Sequence, residues 1–244
     1  DPIDVALWSR SGYHPTPTII EAAQALYRDH DVREISRSDA GAQNLSHTSD
    51  CISQIIDHAK RSGRKSICFL TGVPGAGKTL AGLNIATSSS KAHLDEHAVF
   101  LSGNGPLVEV LREALARDQT VREGIKKSIA LRQVESFVQN IHHFRDEALK
   151  SDRPPVEKVV IFDEAQRAWN HAKAADFMQR KRGYAGFNMS EPEFLVSVMD
   201  RHTDWCVIVC LIGGGQEINT GEAGLAEWLG VMGTRFTKWD VHIS

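Results

Sequence analysis

Two stretches of this chain combine residue types at spacings that suit phosphate chemistry. The first is Gly72-Val73-Pro74-Gly75-Ala76-Gly77-Lys78-Thr79, which fits the pattern G-x-x-x-x-G-K-[ST]. Glycines at those positions let successive backbone N–H groups turn inward around phosphate oxygens, and a helix starting at the lysine adds positive potential. In such a loop the lysine, here Lys78, reaches the β- and γ-phosphates, and the hydroxyl, here Thr79, ligates Mg²⁺. The second is Val159-Val160-Ile161-Phe162-Asp163-Glu164. A short apolar strand that ends in two carboxylates delivers both to one sheet edge. Asp163 is then expected to hold Mg²⁺ through water, and Glu164 to orient and deprotonate an attacking water. An acidic pair after a strand also makes a helix N-cap, but beside a phosphate loop the catalytic reading is preferred. Together the two stretches predict ATP and Mg²⁺ as cofactors, with Gly72, Pro74, Gly75, Ala76, Gly77, Lys78, Thr79 and Leu80 forming the cradle.

A third stretch, Leu211-Ile212-Gly213-Gly214-Gly215-Gln216-Glu217, ends an apolar run in three glycines and an amide. Gln216 is expected to bond the γ-phosphate or the lytic water and report hydrolysis to the rest of the protein. An ordinary glycine-rich strand exit is the other reading, and both stay open.

These residues need elements to position them, and the pattern supplies an alternation. Apolar runs at 66–71, 98–102, 158–163 and 206–212 read as buried strands, with a further strand across 236–243. Helical spacing is found at 18–30 (Ile19, Ala23, Leu26, Tyr27) and 45–59 (Ile52, Ile55, Ile56). A helix follows Asn104-Gly105-Pro106, with Leu107, Val110, Leu111 and Ala114 expected on its buried face. Residues 120–150 read as mostly helical, and Ser190-Glu-Pro-Glu193 as a capping box. Strands buried on both faces and alternating with helices predict an α/β fold with a parallel sheet. In such sheets ligands bind beyond the carboxyl ends of the strands, where all three stretches fall. The division expected is a helical preamble over 1–63 and an ATPase domain over 64–244.

Composition narrows the class. With 41% hydrophobic and 24% charged residues and a net charge of −3, the chain reads as an ordinary globular protein with no global pull toward nucleic acid or membrane. No apolar run reaches the length of a membrane span. Cys206 and Cys210, at i and i+4 on a strand, lie about 13 Å apart, too far to bridge, so buried thiols in a reducing cytoplasm are expected. His142 and His143 are adjacent on a helix and point about 100° apart, and no histidine has zinc-ligand spacing. Arg167 to Arg182 holds Arg167, Lys173, Arg180, Lys181 and Arg182 against the single acid Asp176, with Trp169, Phe177 and Tyr184 in or beside it. That composition suits either nucleic-acid binding or a solvated helical face. The opening Asp1-Pro2 and the final Val241-His-Ile-Ser244 read as cut from a longer chain.

In order and separation, GVPGAGKT, DEAQ (Asp163 to Gln166) and GGGQ resemble motifs I, II and III of superfamily 1 helicases. The wider strings FLTGVPGAGKTLAGLNIA, VFLSGNGPLVEVLREAL, VVIFDEAQRAWN and GGGQEINTGEAGLAEWL are similar to the Schlafen-type helicase domain group, over about residues 45–244. The resemblance implies a RecA-like first motor domain, ATP as nucleotide and single-stranded DNA or RNA as track. It also implies that Phe100-Leu-Ser102-Gly-Asn104 is motif Ia, with Ser102 and Asn104 on the nucleic-acid backbone. A glutamine 18 residues before the loop, Gln54, would read adenine. Motif III of that group carries an Asp ahead of its Gln, and here glycines stand in its place. The second RecA-like domain, with its arginine-bearing motif, would be the partner and lies outside this sequence. A P-loop switch that acts on a protein partner in signalling or defence is the alternative, separated by whether nucleic acid stimulates turnover.

Overall fold

The computed structural model describes residues 18–28, 39–73, 75–92, 97–184, 186–214 and 220–244. Six strands form one sheet: β1 (Lys65–Gly72), β2 (His97–Ser102), β3 (Val138–Asn140), β4 (Glu157–Asp163), β5 (Cys206–Gly213) and β6 (Asp240–Ile243). Their order is β3-β2-β4-β5-β1-β6, and every pairing is parallel. The apolar runs are continuous because both faces are covered. All eight residues of β5 are buried. Val207, Val209 and Leu211 face one core; Cys206, Ile208, Cys210 and Ile212 face the other.

The first core is filled by α1 (Ile19–Tyr27), α2 (Asp39–Ser62), α3 (Lys78–Ala92), α4 (Gly105–Glu123) and α5 (Lys127–Phe137). The second is filled by α6 (Ile141–Ala148), α7 (His171–Arg182), α8 (Glu191–Met199) and α9 (Gly224–Thr234). This is the RecA-like α/β arrangement. Among the described residues no helix is long and apolar enough to cross a membrane.

Three local expectations are corrected, and the mostly helical reading of 120–150 holds with one short strand added. Two helical stripes offset by one residue compete in α4, and the sheet takes Val108, Leu111 and Leu115, while Val110 is 47% exposed. The winning stripe ends on buried Asp118, which pairs with Arg28 at the end of α1. Within 120–150, β3 interrupts the helices; its three residues are too few for a period, and pairing with Phe100, Leu101 and Ser102 defines it. The last strand is confined to 240–243, where it pairs with β1. Ser190 accepts from the Glu193 amide, but Glu193 pairs with Arg235 instead of reaching back, so only half of the capping box forms.

One glycine sets how closely the helix after the glycine loop approaches the sheet. A Cβ at Gly82 of α3 would lie 2.8 Å from Leu211 Cδ1 and 2.9 Å from Ile161 Cγ2, both in the core. Gly82→Ala should therefore destabilise the domain, because overpacking at about 1–3 kcal/mol exceeds the roughly 1 kcal/mol gained in helix propensity. The expected fall in thermal midpoint is about 2–4 °C per kcal/mol lost. A midpoint equal to or above that of the wild type would show that α3 backs off freely.

Candidate nucleotide site

β1 leaves the core at Gly72 and the chain turns back on itself before α3. Gly75 and Gly77 hold φ of 80° and 83°, a region costly for residues with a Cβ. The turn closes through Ala76 N–H donating to Val73 O (3.2 Å), and α3 begins with Ala81 N–H on Gly77 O (2.9 Å). No acidic side chain sits in the first turn of α3, so the positive end of its dipole stays available to an anion. Lys78 Nζ donates to Gly72 O (2.7 Å) and Val73 O (2.9 Å), folding the ammonium over the loop. Leu80 is partly buried against the first core. Pro74 lies outside the described residues.

β4 brings the carboxylates to this loop. Thr79 Oγ1 donates to Asp163 Oδ1 at 3.1 Å, joining residues 84 positions apart. Asp163 is buried, and burial pushes its carboxyl up to about 6, against the pull of the Thr79 hydroxyl. A hydroxyl and a buried carboxylate form an all-oxygen donor pair that fits Mg²⁺. A divalent cation is also what would keep such a carboxylate ionised. Among the described residues no group of three or more His, Cys, Asp and Glu is placed to hold a metal ion by itself.

Glu164 is the one non-glycine at positive φ among the described residues (φ 53°, ψ 43°), and it opens a 3₁₀ turn at Ala165–Arg167. Its Oε2 accepts from Gln166 Nε2 (2.6 Å) and Arg167 Nε (3.2 Å). Gln166 Oε1 in turn accepts from the Gly213 amide (3.0 Å), and the Gly214 amide donates to Gly72 O (2.9 Å). A continuous run of contacts thus links the phosphate loop, the glycine-rich exit of β5 and the Glu164 carboxylate. Trp228, fully buried, fixes the turn by donating its indole N–H to Ala165 O (2.9 Å). Gln166 closes the DEAQ string, and its polar side chain three positions after Asp163 is the sequence signal for this contact. Gln216 lies outside the described residues, so the glycine exit is seen only as far as Gly214.

A cavity of about 560 Å³ opens beside these groups, lined by Thr79, Asp163, Glu164 and Arg167 and also by Ser102, Asn104, His142, Trp169 and Lys173. Ser102 and Asp163 are register partners at the ends of β2 and β4. Ser102 is buried and its Oγ accepts from the Asn104 amide (3.2 Å); Asn104 is exposed and caps α4 through the Leu107 amide (3.3 Å). The aromatic residues of the basic stretch are engaged internally. Trp169 lies 4.8 Å from Phe177 and 5.1 Å from His142, ring centre to ring centre. Lys173 and Arg145 pack over Trp169, and Arg145 and Arg182 over Phe177. Tyr184, 54% exposed, is the aromatic of this stretch that remains mostly in solvent.

A second cavity, of about 320 Å³, flanks the loop on the side of α2 and is lined by Asn44, His47, Thr48, Cys51, Cys68 and Lys78, among others. Gln54 is exposed and does not line it. Two residues beyond Ile52, Gln54 sits about 200° around α2 from it, off the face that Thr48, Cys51 and Ile52 present to the loop.

A parallel sheet with a glycine loop between β1 and α3, and a carboxylate strand two places away, defines a RecA-like P-loop NTPase fold. The chain belongs to the family described as Schlafen group 3, DNA/RNA helicase domain, which matches residues 65–244. Solved structures similar to it include the Pyrococcus furiosus Hef helicase domain, at 16% identity and a TM-score of 0.42, covering 79% of this chain and 37% of that one. Drosophila ORC bound to DNA is similar at 11% identity and a TM-score of 0.35, covering 96% of this chain and 36% of that one. The chain thus spans little more than a third of the length of either. No curated protein matches it.

His142, at the rim of the larger cavity, generates a pH prediction. Burial lowers its pKa from 6.5 to about 4, Arg145 acts in the same direction, and Asp146 opposes both. The folded state therefore holds the neutral ring while the unfolded state protonates first, so His142's contribution to stability is present above about pH 6.5 and is lost toward pH 4. Denaturant midpoints across that window should fall less steeply for His142→Phe than for the wild type. Parallel slopes would place the titrating group elsewhere.

Proposed function

We propose that this domain binds ATP-Mg²⁺ and hydrolyses it as the first motor domain of a nucleic-acid-dependent ATPase of the helicase type. The observation that carries this reading is the Thr79–Asp163 hydrogen bond, which joins loop and carboxylate strand beside Glu164. In this reading Gly72 to Thr79 and Leu80 cradle the phosphates, and Lys78 exchanges the carbonyls of Gly72 and Val73 for β- and γ-phosphate oxygens. Thr79 and Asp163 hold Mg²⁺, which when bound neutralises charge on the phosphates. Glu164 orients a water in line with the γ-phosphate and accepts its proton. Gln216 contacts that water or the γ-phosphate. The base lies in the cavity against α2, where Asn44, His47 and Thr48 offer polar groups, rather than at Gln54. Single-stranded DNA or RNA passes over Ser102 and Asn104, and a second RecA-like domain closes on the nucleotide.

Mg²⁺-dependent ATP binding, followed by calorimetry, should be largely abolished in Lys78→Ala; an unchanged affinity would remove the loop from the site. Glu164→Gln should retain binding and lower steady-state turnover of the full-length protein by about 10²-fold or more, the usual scale for a lost general base. Turnover near the wild-type rate would move the base to another residue. Measuring both proteins with and without single-stranded DNA and RNA tests the nucleic-acid part of the reading separately.

A further inference from the structure

The site contains a cation whose position the proposed hydrolysis does not use. Arg167 projects from the 3₁₀ turn that follows Glu164, lines the larger cavity, and donates from Nε to Glu164 Oε2 at 3.2 Å. Gln166 donates to the same oxygen at 2.6 Å. The two restraints differ in kind. Gln166 is buried and anchored at its other end by the Gly213 amide, so it belongs to the frame. Arg167 stays about half exposed, with 49% of its side chain in solvent, and its partner Glu164 retains 35%. Solvated pairs of this kind are weak and are readily exchanged for another anion. Guanidinium favours phosphate oxygens, which accept its N–H groups as well as a carboxylate does.

We propose that Arg167 is a positioning residue that holds the Glu164 carboxylate in a resting orientation, and that a backbone phosphate of a bound single strand draws it away. Ser102 and Asn104 line the same cavity as Arg167, and Lys173 adds a second cation there. A phosphodiester in that cavity has both Arg167 and Glu164 on its wall, and the guanidinium is the more exposed of the two. Once Arg167 moves to the strand, Oε2 keeps its bond to Gln166, and the carboxylate turns toward the water beside the γ-phosphate. Strand binding and hydrolysis are thereby coupled through one side chain. The inference rests on the proposed role of Glu164.

Steady-state ATPase assays on the full-length protein test it, using wild type, Arg167→Ala, Arg167→Lys, Glu164→Gln and the Glu164→Gln/Arg167→Ala double variant. Each is measured without nucleic acid and with oligo-dT or oligo-U across a salt series. The expected result is that Arg167→Ala raises strand-free kcat about two- to fivefold, the scale of an exposed ion pair. KM for ATP should be unchanged, and stimulation by the strand should shrink by a similar factor. Arg167→Lys should keep most of the wild-type restraint, and the double variant should be as inactive as Glu164→Gln. An unchanged strand-free rate in Arg167→Ala would overturn the proposal. A fall in kcat with and without the strand would overturn it too, by making Arg167 a contact of the γ-phosphate. Wild-type turnover that no strand stimulates would remove the phosphate trigger. Near-normal turnover in Glu164→Gln alone would instead overturn the role given to Glu164, a failure readable independently of the others.

Discussion

The site is organised around a buried carboxylate. Asp163 lies at the end of β4, inside the protein, with the Thr79 hydroxyl donating to it and, among the described residues, no arginine or lysine in hydrogen-bond contact. A charge in that position is expensive without a counter-charge, and the rise of its pKa to about 6 is the same cost seen through proton binding. The groups near it leave positive potential at the loop uncompensated. The first turn of α3 carries no acid, and the ammonium of Lys78 rests on neutral carbonyls.

The sheet makes this possible by bringing distant segments to one edge in register. Gly72 is opposite Gly213 across β1 and β5, Phe162 opposite Cys210 across β4 and β5, and Ser102 opposite Asp163 across β2 and β4. Phosphate loop, carboxylates and glycine exit are therefore neighbours by strand order alone. Two features refine the placement. Gly82 sets the approach of α3 to β4 and β5, and Trp228 holds the turn after Glu164 from the opposite face.

The strands, their parallel arrangement and the glycine loop between β1 and α3 were legible in the sequence because each rests on local chemistry. Continuous Val, Ile and Phe runs mark strands covered on both faces, and glycine spacing marks a loop that needs positive φ. What was illegible depended on tertiary competition. The buried stripe of α4 is one of two that the same residues satisfy, and only the sheet chooses between them. The strand over 138–140 exists through its pairing with β2. The aromatic residues of the basic stretch read as stacking surfaces, yet Trp169 and Phe177 spend their faces on His142, Arg145, Lys173 and Arg182. Spacing from the loop proposed Gln54, whereas the facing side of α2 is set by how that helix packs.

The outermost strands carry a consequence for self-association. Among the described residues β3 and β6 each pair on one side only, and they are three and four residues long. A free sheet edge is a template on which other chains can add strands and begin to aggregate. Here the long strands β1, β4 and β5, with their continuous apolar centres, are enclosed, and the two edges offer few ladder positions to an incoming chain. Short borders thus limit how many ladder bonds another chain could add to a sheet this rich in Val and Ile.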